Sequence, residues 1–443
     1  MTESGAAPAA GPKRAVSWYV LGVLLLVYSV NFMDRQLFAV LQERIRLDIG
    51  LADWQLGLLG GTMFAAFYAV LGLPFAWYAD RANRVRLIAA ACAVWSGFTA
   101  LTGLAQSFLH LALARIGVAA GEAGGVAPSY SVISDFFGQH RRGFAIGVFS
   151  LGAPLGLMAG TLLGATIADA TSWRWAFAVL GLPGLALAAL LVLTVREPAR
   201  GRLDEAAAPV PGAEAGLVAA LRHLAATPSL RFFAAAAACT SFAGYGLYQW
   251  IPTFLQRSQA MALEDVGVAL APVFLFGMAG SVAGGWLADR LAPKLRGAYG
   301  FVPGIAQLAA APLFFAALWV PGAGATIALL VLPTALSYVW LGPTLAAAQN
   351  LSRPEIRASV AALIAFFNNL IGFGLGPLVI GALSSWLTPA LGAGEALRMA
   401  LIWGTAFYVL GAVLFLAAGR ADRRDRDGPR GADPRRLVRT GQP

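Results

Sequence analysis

Apolar residues run in stretches of about 20, the length an α-helix needs to cross a bilayer core, and short polar breaks separate them along nearly the whole chain. Twelve spans are predicted near residues 18–41, 54–79, 86–106, 108–135, 143–168, 174–195, 230–255, 266–288, 298–320, 324–349, 357–386 and 396–418. Each break carries turn chemistry or charge. The longest polar break contains Glu197-Pro198, then an Ala/Pro/Gly run, then an amphipathic stretch from Leu217 to Leu224. It reads as a linker with an interfacial helix. The predicted organisation is an N-terminal segment (1–17), a six-helix bundle (18–195), the linker (196–229), a second six-helix bundle (230–418) and a disordered basic tail (419–443).

Composition strengthens this pattern. Of 443 residues, 58% are hydrophobic and 12% charged, about half the charged share of a soluble domain. The net charge of +10 does not point to nucleic acid, because the arginines cluster between apolar runs and in the tail. Their distribution reads as topology. If the N-terminus is inside, the inner segments hold Lys13, Arg14, Arg81, Arg84, Arg86, Arg141, Arg142, Arg196, Arg200 and further arginines up to the tail. The outer loops hold only Arg44, Arg46, Arg174, Arg257 and Arg398. Both termini are therefore expected in the cytoplasm. The first apolar run is long enough to be a retained span, not a signal peptide. Cys92 and Cys239 lie inside apolar runs, and His110, His140 and His223 are scattered, so no disulfide framework, metal site or cofactor is expected. No nucleophile–base set suggests an enzyme.

The halves repeat each other. Asp80-Arg81-Ala82-Asn83-Arg84 follows span two, and Asp289-Arg290 with Lys294 follows span eight. Gly152-Ala153-Pro154-Leu155-Gly156 lies in span five, and Gly372-Phe373-Gly374-Leu375-Gly376-Pro377 in span eleven. Repeated halves of this kind are a transporter architecture with the substrate site near the midplane. The loop motif, its copy and the Gly-x-Pro element resemble the major facilitator superfamily over nearly the whole chain. Asn83 and Ala76 stand where that family usually has glycine. The resemblance implies a gating role for Asp80, with Arg84, Arg141 and Arg142 as partners, and for Arg81 and Asp289.

Four ionisable residues sit inside spans, where charge is costly and informative: Asp34 and Arg35 in span one, Arg115 and Glu122 in span four. Helical rise puts Asp34 roughly 6 Å and Arg115 roughly 9 Å to the outer side of the midplane, with Glu122 close to it. Arg115 and Glu122, seven residues apart, share a face, and Asn31 shares the face of Asp34. These depths predict an Asp34–Arg115 pair two turns outward of Glu122. Glu122, near the midplane in a low dielectric, is the candidate proton carrier. Arg115 keeps its charge and can take either an acidic head group or Asp34. Arg35 points about 100° away from Asp34, which favours a structural role.

The sequence around these charges narrows the resemblance. Asn31-Phe32-Met33-Asp34-Arg35 is similar to an element of several facilitator families, including organic-anion symporters, while Ala114-Arg115-Ile116-Gly117, continuing through Gly121-Glu122 to Asp135 and Arg141-Arg142-Gly143, resembles the Spinster-like family. That family exports lysophospholipids, sphingosine phosphate and related amphiphiles. The resemblance implies that Asp34, Glu122 and Arg115 form a proton-coupling cavity set. The alanine- and arginine-rich composition suggests a bacterial inner membrane. Aromatic and amide groups that could line the rest of the cavity are Phe64, Phe67 and Tyr68, then Tyr245, Tyr248 and Gln249, then Phe366, Phe367 and Asn368. The expectation is a monomeric, proton-coupled transporter of a lysolipid-like amphiphile, surrounded by membrane lipid. A proton-driven multidrug exporter and an organic-anion or sugar symporter remain as alternatives.

Overall fold

The computed structural model describes residues 14–79, 81–200, 203, 216–353 and 356–427. It is all-helical. The twelve predicted spans appear among the described residues as α1 (Arg14–Ile49), α2 (Asp53–Ala79), α3 (Arg84–Thr102), α4 (Phe108–Ala123 and Val126–Phe136), α5 (Gln139–Ser150 and Gly152–Ala170) and α6 (Trp173–Thr194). They continue as α7 (Pro228–Ser258), α8 (Leu263–Leu291), α9 (Ala298–Trp319), α10 (Ala323–Tyr338 and Leu341–Asn350), α11 (Arg357–Phe367, a wide π-type turn at Asn368–Leu375, then Gly376–Leu391) and α12 (Ala393–Asp427). Ten of the twelve are, among the described residues, long and apolar enough to cross a membrane. The other two are α4, whose segments are short, and α7, which buries Thr240, Ser241, Gln249 and Thr253.

Spans four, five and ten are interrupted where the pattern predicts continuous helices. The second segment of each has proline at its third position: Pro128, Pro154 and Pro343. Proline lacks the N–H that would continue the hydrogen-bond ladder but is tolerated in a first turn, where that donor has no helical partner. α12 runs nine residues beyond its predicted end. Arg423 there donates to the Arg296 carbonyl at 2.6 Å and its guanidinium lies 4.8 Å from the Phe301 ring, which holds residues expected to begin the tail in helical form. The linker helix forms at Gly216–Ala226 and buries Ala220 against Leu230, Phe233 and Val360.

Contacts divide the chain into two units. The first comprises Met1–Leu41 with Ala66–Pro209, the second Gln42–Ala65 with Val210–Pro443. In the first, α5 presents a glycine every four residues to α1. A Cβ on Gly152 would meet Leu25 and Tyr28, one on Gly156 would meet Ser29 and Phe32, and one on Gly160 would meet Met33. Lipid supplies no hydrophobic drive between helices, so close backbone approach through small residues holds them together. The second unit repeats the device: Gly372 and Gly376 of α11 abut Ser241 and Phe242 of α7, and Gly280 and Gly284 of α8 abut Ala335 and Val339 of α10. Large apolar side chains such as Leu193, Val282, Trp386 and Trp403 remain on the outer surface of the helices, as a hydrocarbon surround requires.

Candidate functional site

In the first unit, α1, α2, α3 and α4 bring charge into an apolar interior. Asn31, Asp34, Arg115 and Glu122 are all buried, and Glu122 is fully enclosed. Glycine makes this possible on the α4 side. A Cβ on Gly117 would strike the Phe98 ring, and one on Gly121 would strike Trp95, so α4 lies hard against α3. That contact turns Arg115 and Glu122, two turns apart, toward α1.

The pairing differs from the one the depths predict. Arg35, not Arg115, holds Glu122: Arg35 Nε donates to Glu122 Oε2 at 2.6 Å. The Arg35 guanidinium also lies 5.0 Å from the Phe32 ring centroid and 5.3 Å from that of Tyr68. The Arg35 side chain keeps 18% of its surface exposed while its carboxylate partner keeps none. The expected Asp34–Arg115 ion pair is not formed among the described residues. Asp34 Oδ2 instead accepts from Thr99 Oγ1 at 3.0 Å, and its other oxygen is buried with no donor. Arg115 stacks over Phe38, 4.8 Å from its centroid, with Asp34 and Glu122 acting on it through space. Asn31 stands beside Glu122, as its shared face with the charges implies. Sequence spacing underrated Arg35 because the 100° separation excludes Asp34 as its partner but leaves the neighbouring helix open. Thr99 gives no sequence signal, since a threonine in an apolar run is ordinary.

Of the aromatic candidates, Tyr68 joins this charged group, and Phe67 is exposed. The others fall in the second unit. Phe64 and Tyr245 pack edge-on against Phe373, Phe366 packs edge-on against Phe367, and Tyr248 lies tilted against Phe274. Asn368 opens the π-type turn of α11, and its amide oxygen is buried without a donor. Gln249 is engaged with Gln42: each side-chain amide donates across the pair, Gln249 to Gln42 Oε1 at 2.7 Å and Gln42 to the Gln249 carbonyl at 2.8 Å.

The gating candidates also rearrange. Asp80 lies outside the described residues. Arg84 is buried and ion-paired with Asp135 and with Glu197, the latter at 2.7 Å, and it donates to Ser131 and the Pro198 carbonyl. Arg200 caps the end of α2 through the Ala79 and Ala82 carbonyls. Arg142 donates to the Ser134 carbonyl, Arg81 stacks on Trp77, and Arg141 is exposed. In the repeated loop Asp289 accepts from Tyr299 at 2.9 Å. The Arg84 partners Asp135 and Glu197 were not candidates. A carboxylate at the very end of span four and another just after span six are the signal that marks them.

Twelve helices in repeated halves, with an ion pair buried among apolar helices, define a membrane transporter. The chain belongs to the Major Facilitator Superfamily, whose family model matches residues 24–373. It is 35% identical over 416 residues to an MFS-type efflux pump of Mycolicibacterium smegmatis, covering 94% of this chain and 95% of the pump. It is 29% identical over 434 residues to the sphingosine-1-phosphate transporter SPNS2 of Danio rerio, covering 92% of this chain and 84% of that one. The crystal structure of a bacterial homolog of the human lysosomal transporter Spinster, inward-facing and unoccupied, superposes with a TM-score of 0.87 at 29% identity, covering 94% of this chain and all of that one. The Spinster-like resemblance of the Ala114–Gly143 segment thus extends over nearly the whole chain.

Proposed function

We propose that the protein is a proton-coupled secondary transporter of lysophospholipid-like or other amphiphilic molecules. It works by alternating access in a bacterial inner membrane, with both termini in the cytoplasm. The observation that carries this reading is the Arg35–Glu122 pair, one member wholly enclosed and the other partly open. A carboxylate enclosed by apolar helices is tolerated as an anion only while its cation stays. A proton arriving at Glu122 removes that need and frees the Arg35 guanidinium, which can then hold a phosphate or carboxylate bidentately. An acidic substrate head taking Arg35 leaves Glu122 without its cation and so draws a proton onto it. Each ligand thereby favours the other at one pair, a reciprocal coupling free energy that links their movements. Asp34, with one oxygen lacking a donor, is the second proton acceptor. Phe32 and Tyr68 form the apolar flank of the head-group site.

The named activity of the zebrafish relative supports a lipid-like substrate with an anionic head. The name of the mycobacterial relative supports a second reading, efflux of other amphiphiles by the same pair. Proteoliposomes containing the purified protein separate these. Labelled lysophospholipid should move faster with an imposed pH gradient, and Glu122→Gln should remove the gradient's effect. Gradient-independent movement that survives Glu122→Gln would sink the coupling. Movement of a cationic dye without lysolipid movement would favour the efflux reading.

A further inference from the structure

We propose that Arg257, clamped between Glu43 and Asp53, is a releasable lock that closes one end of the transport route, with Gln42, Gln249 and Thr253 forming a dry seal beneath it. This goes beyond the coupling reading and does not depend on it. All of these residues lie in the second unit, which includes the α1–α2 connection at 42–65.

The geometry is layered. Arg257 donates to both oxygens of Asp53, at 2.7 and 2.8 Å, and to Glu43 at 2.7 Å. Ser384 of α11 donates to Asp53 at 2.7 Å, so three segments, 42–53, α7 and α11, meet at one cation. One turn along α7 lies Thr253, and another turn along lies Gln249, both on the Arg257 face. Gln42 Nε2 donates to Thr253 Oγ1 at 2.8 Å and completes the reciprocal pair with Gln249, entirely buried. Beside this stack, α2 meets α11 through glycine. A Cβ on Gly57 would run into Pro377, one on Gly61 into Phe373, and one on Gly381 into Asp53. Thr62 donates to the Gly374 carbonyl at 2.6 Å along the same seam.

Two features mark the contact as releasable. First, from Asp53 to Thr62 the seam is built of polar groups and close backbone approach, with the Phe64–Phe373 ring contact lying beyond it, so parting this stretch exposes groups that water can satisfy. Second, each acid has a fallback within its own helix. Glu43 also accepts from Arg46, at 2.9 and 3.1 Å, one turn along α1. Asp53 sits in the first turn of α2, where the helix dipole favours an anion. Residues 42–65 are moreover the ends of the same two helices whose remaining parts cluster in the first unit.

The test is thiol accessibility in purified protein in lipid nanodiscs, which exposes both faces and needs neither substrate nor gradient. In a Cys92→Ala/Cys239→Ala background, Thr253→Cys should react slowly with a water-soluble maleimide. Adding Arg257→Gln should raise that rate on the order of a hundredfold, the low end of what breaking a buried ion pair costs. Glu43→Gln/Asp53→Asn should raise it as much, and the three changes together should add nothing further. A cysteine at buried Ala176, in α6, should stay slow throughout. If Arg257→Gln does not fold, the acid pair carries the test alone. Unchanged rates, additive rates, or an equal rise at Ala176→Cys would overturn the lock.

Discussion

Removing one or both members of the Arg35–Glu122 pair tests the geometry most directly. Glu122 is fully enclosed and Arg35 is 18% exposed, so the pair sits close to the fully buried limit. Breaking such a pair by deleting one partner costs about 3–5 kcal/mol, because the survivor is left charged in a low dielectric. Arg35→Met leaves the carboxylate as that survivor. Glu122→Gln leaves the guanidinium, which retains Phe32 and Tyr68, each worth about 0.5–2 kcal/mol. The expected order is a loss of about 3–4 kcal/mol for Arg35→Met and about 2 kcal/mol for Glu122→Gln. The double variant should cost less than the sum by about 2 kcal/mol or more, since neither charge remains to be stranded. In a chain of this size these losses translate to a few degrees of melting temperature each. A thermal-unfolding cycle of the four proteins in one detergent at pH 7.4 reads the coupling. Additive shifts would refute the claim that the two residues act as a unit.

Three further outcomes follow from packing and charge. Gly156→Val should lower the melting temperature sharply or prevent accumulation in the membrane, because a side chain there meets Ser29 and Phe32 of α1, whereas Gly72→Ala should be nearly silent, with open space at that Cβ. Arg84→Ala should destabilise by about 3 kcal/mol, since it strands Asp135 and Glu197, while exposed Arg86→Ala should stay within about 0.5 kcal/mol; thermal unfolding of both checks the contrast. Thr99→Val should weaken gradient-driven uptake in proteoliposomes while leaving fold and expression unchanged, because it removes the hydrogen bond that orients Asp34; unaltered coupling would remove Asp34 from the proton route.

The helices were legible because their cause is local. An apolar run of bilayer length has one low-energy conformation in lipid, as the backbone must satisfy its own hydrogen bonds. Span positions therefore follow from residue order, and so does the repeat, since equivalent helices carry equivalent glycines and prolines. The breaks at Gly124-Gly125 and before Leu341 were legible in principle from Pro128 and Pro343, but a hydropathy pattern does not see them. The site was legible as a set of residues. Asp34, Arg35, Arg115 and Glu122 stand out because charge in an apolar span is expensive.

Which charge meets which was not legible. Depth along a helix is fixed by a rise of about 1.5 Å per residue, and it placed Asp34 level with Arg115. Rotation and the approach of neighbouring helices are set by packing, here by Gly117 and Gly121 of α4 against Phe98 and Trp95. That packing sends Glu122 to Arg35 and leaves Asp34 to Thr99. The same limit hid the cluster of Arg257, Glu43 and Asp53, which read along the chain as ordinary loop-end charges more than 200 residues apart. Sequence alone determined that this chain crosses a membrane as two repeated sets of helices with acid and base inside the first, because hydration and backbone hydrogen bonding act on each segment by itself. The tertiary structure decided the partners, because an ion pair depends on distances of a few ångström between helices, and those are set by the side chains that are small enough to let the backbones touch.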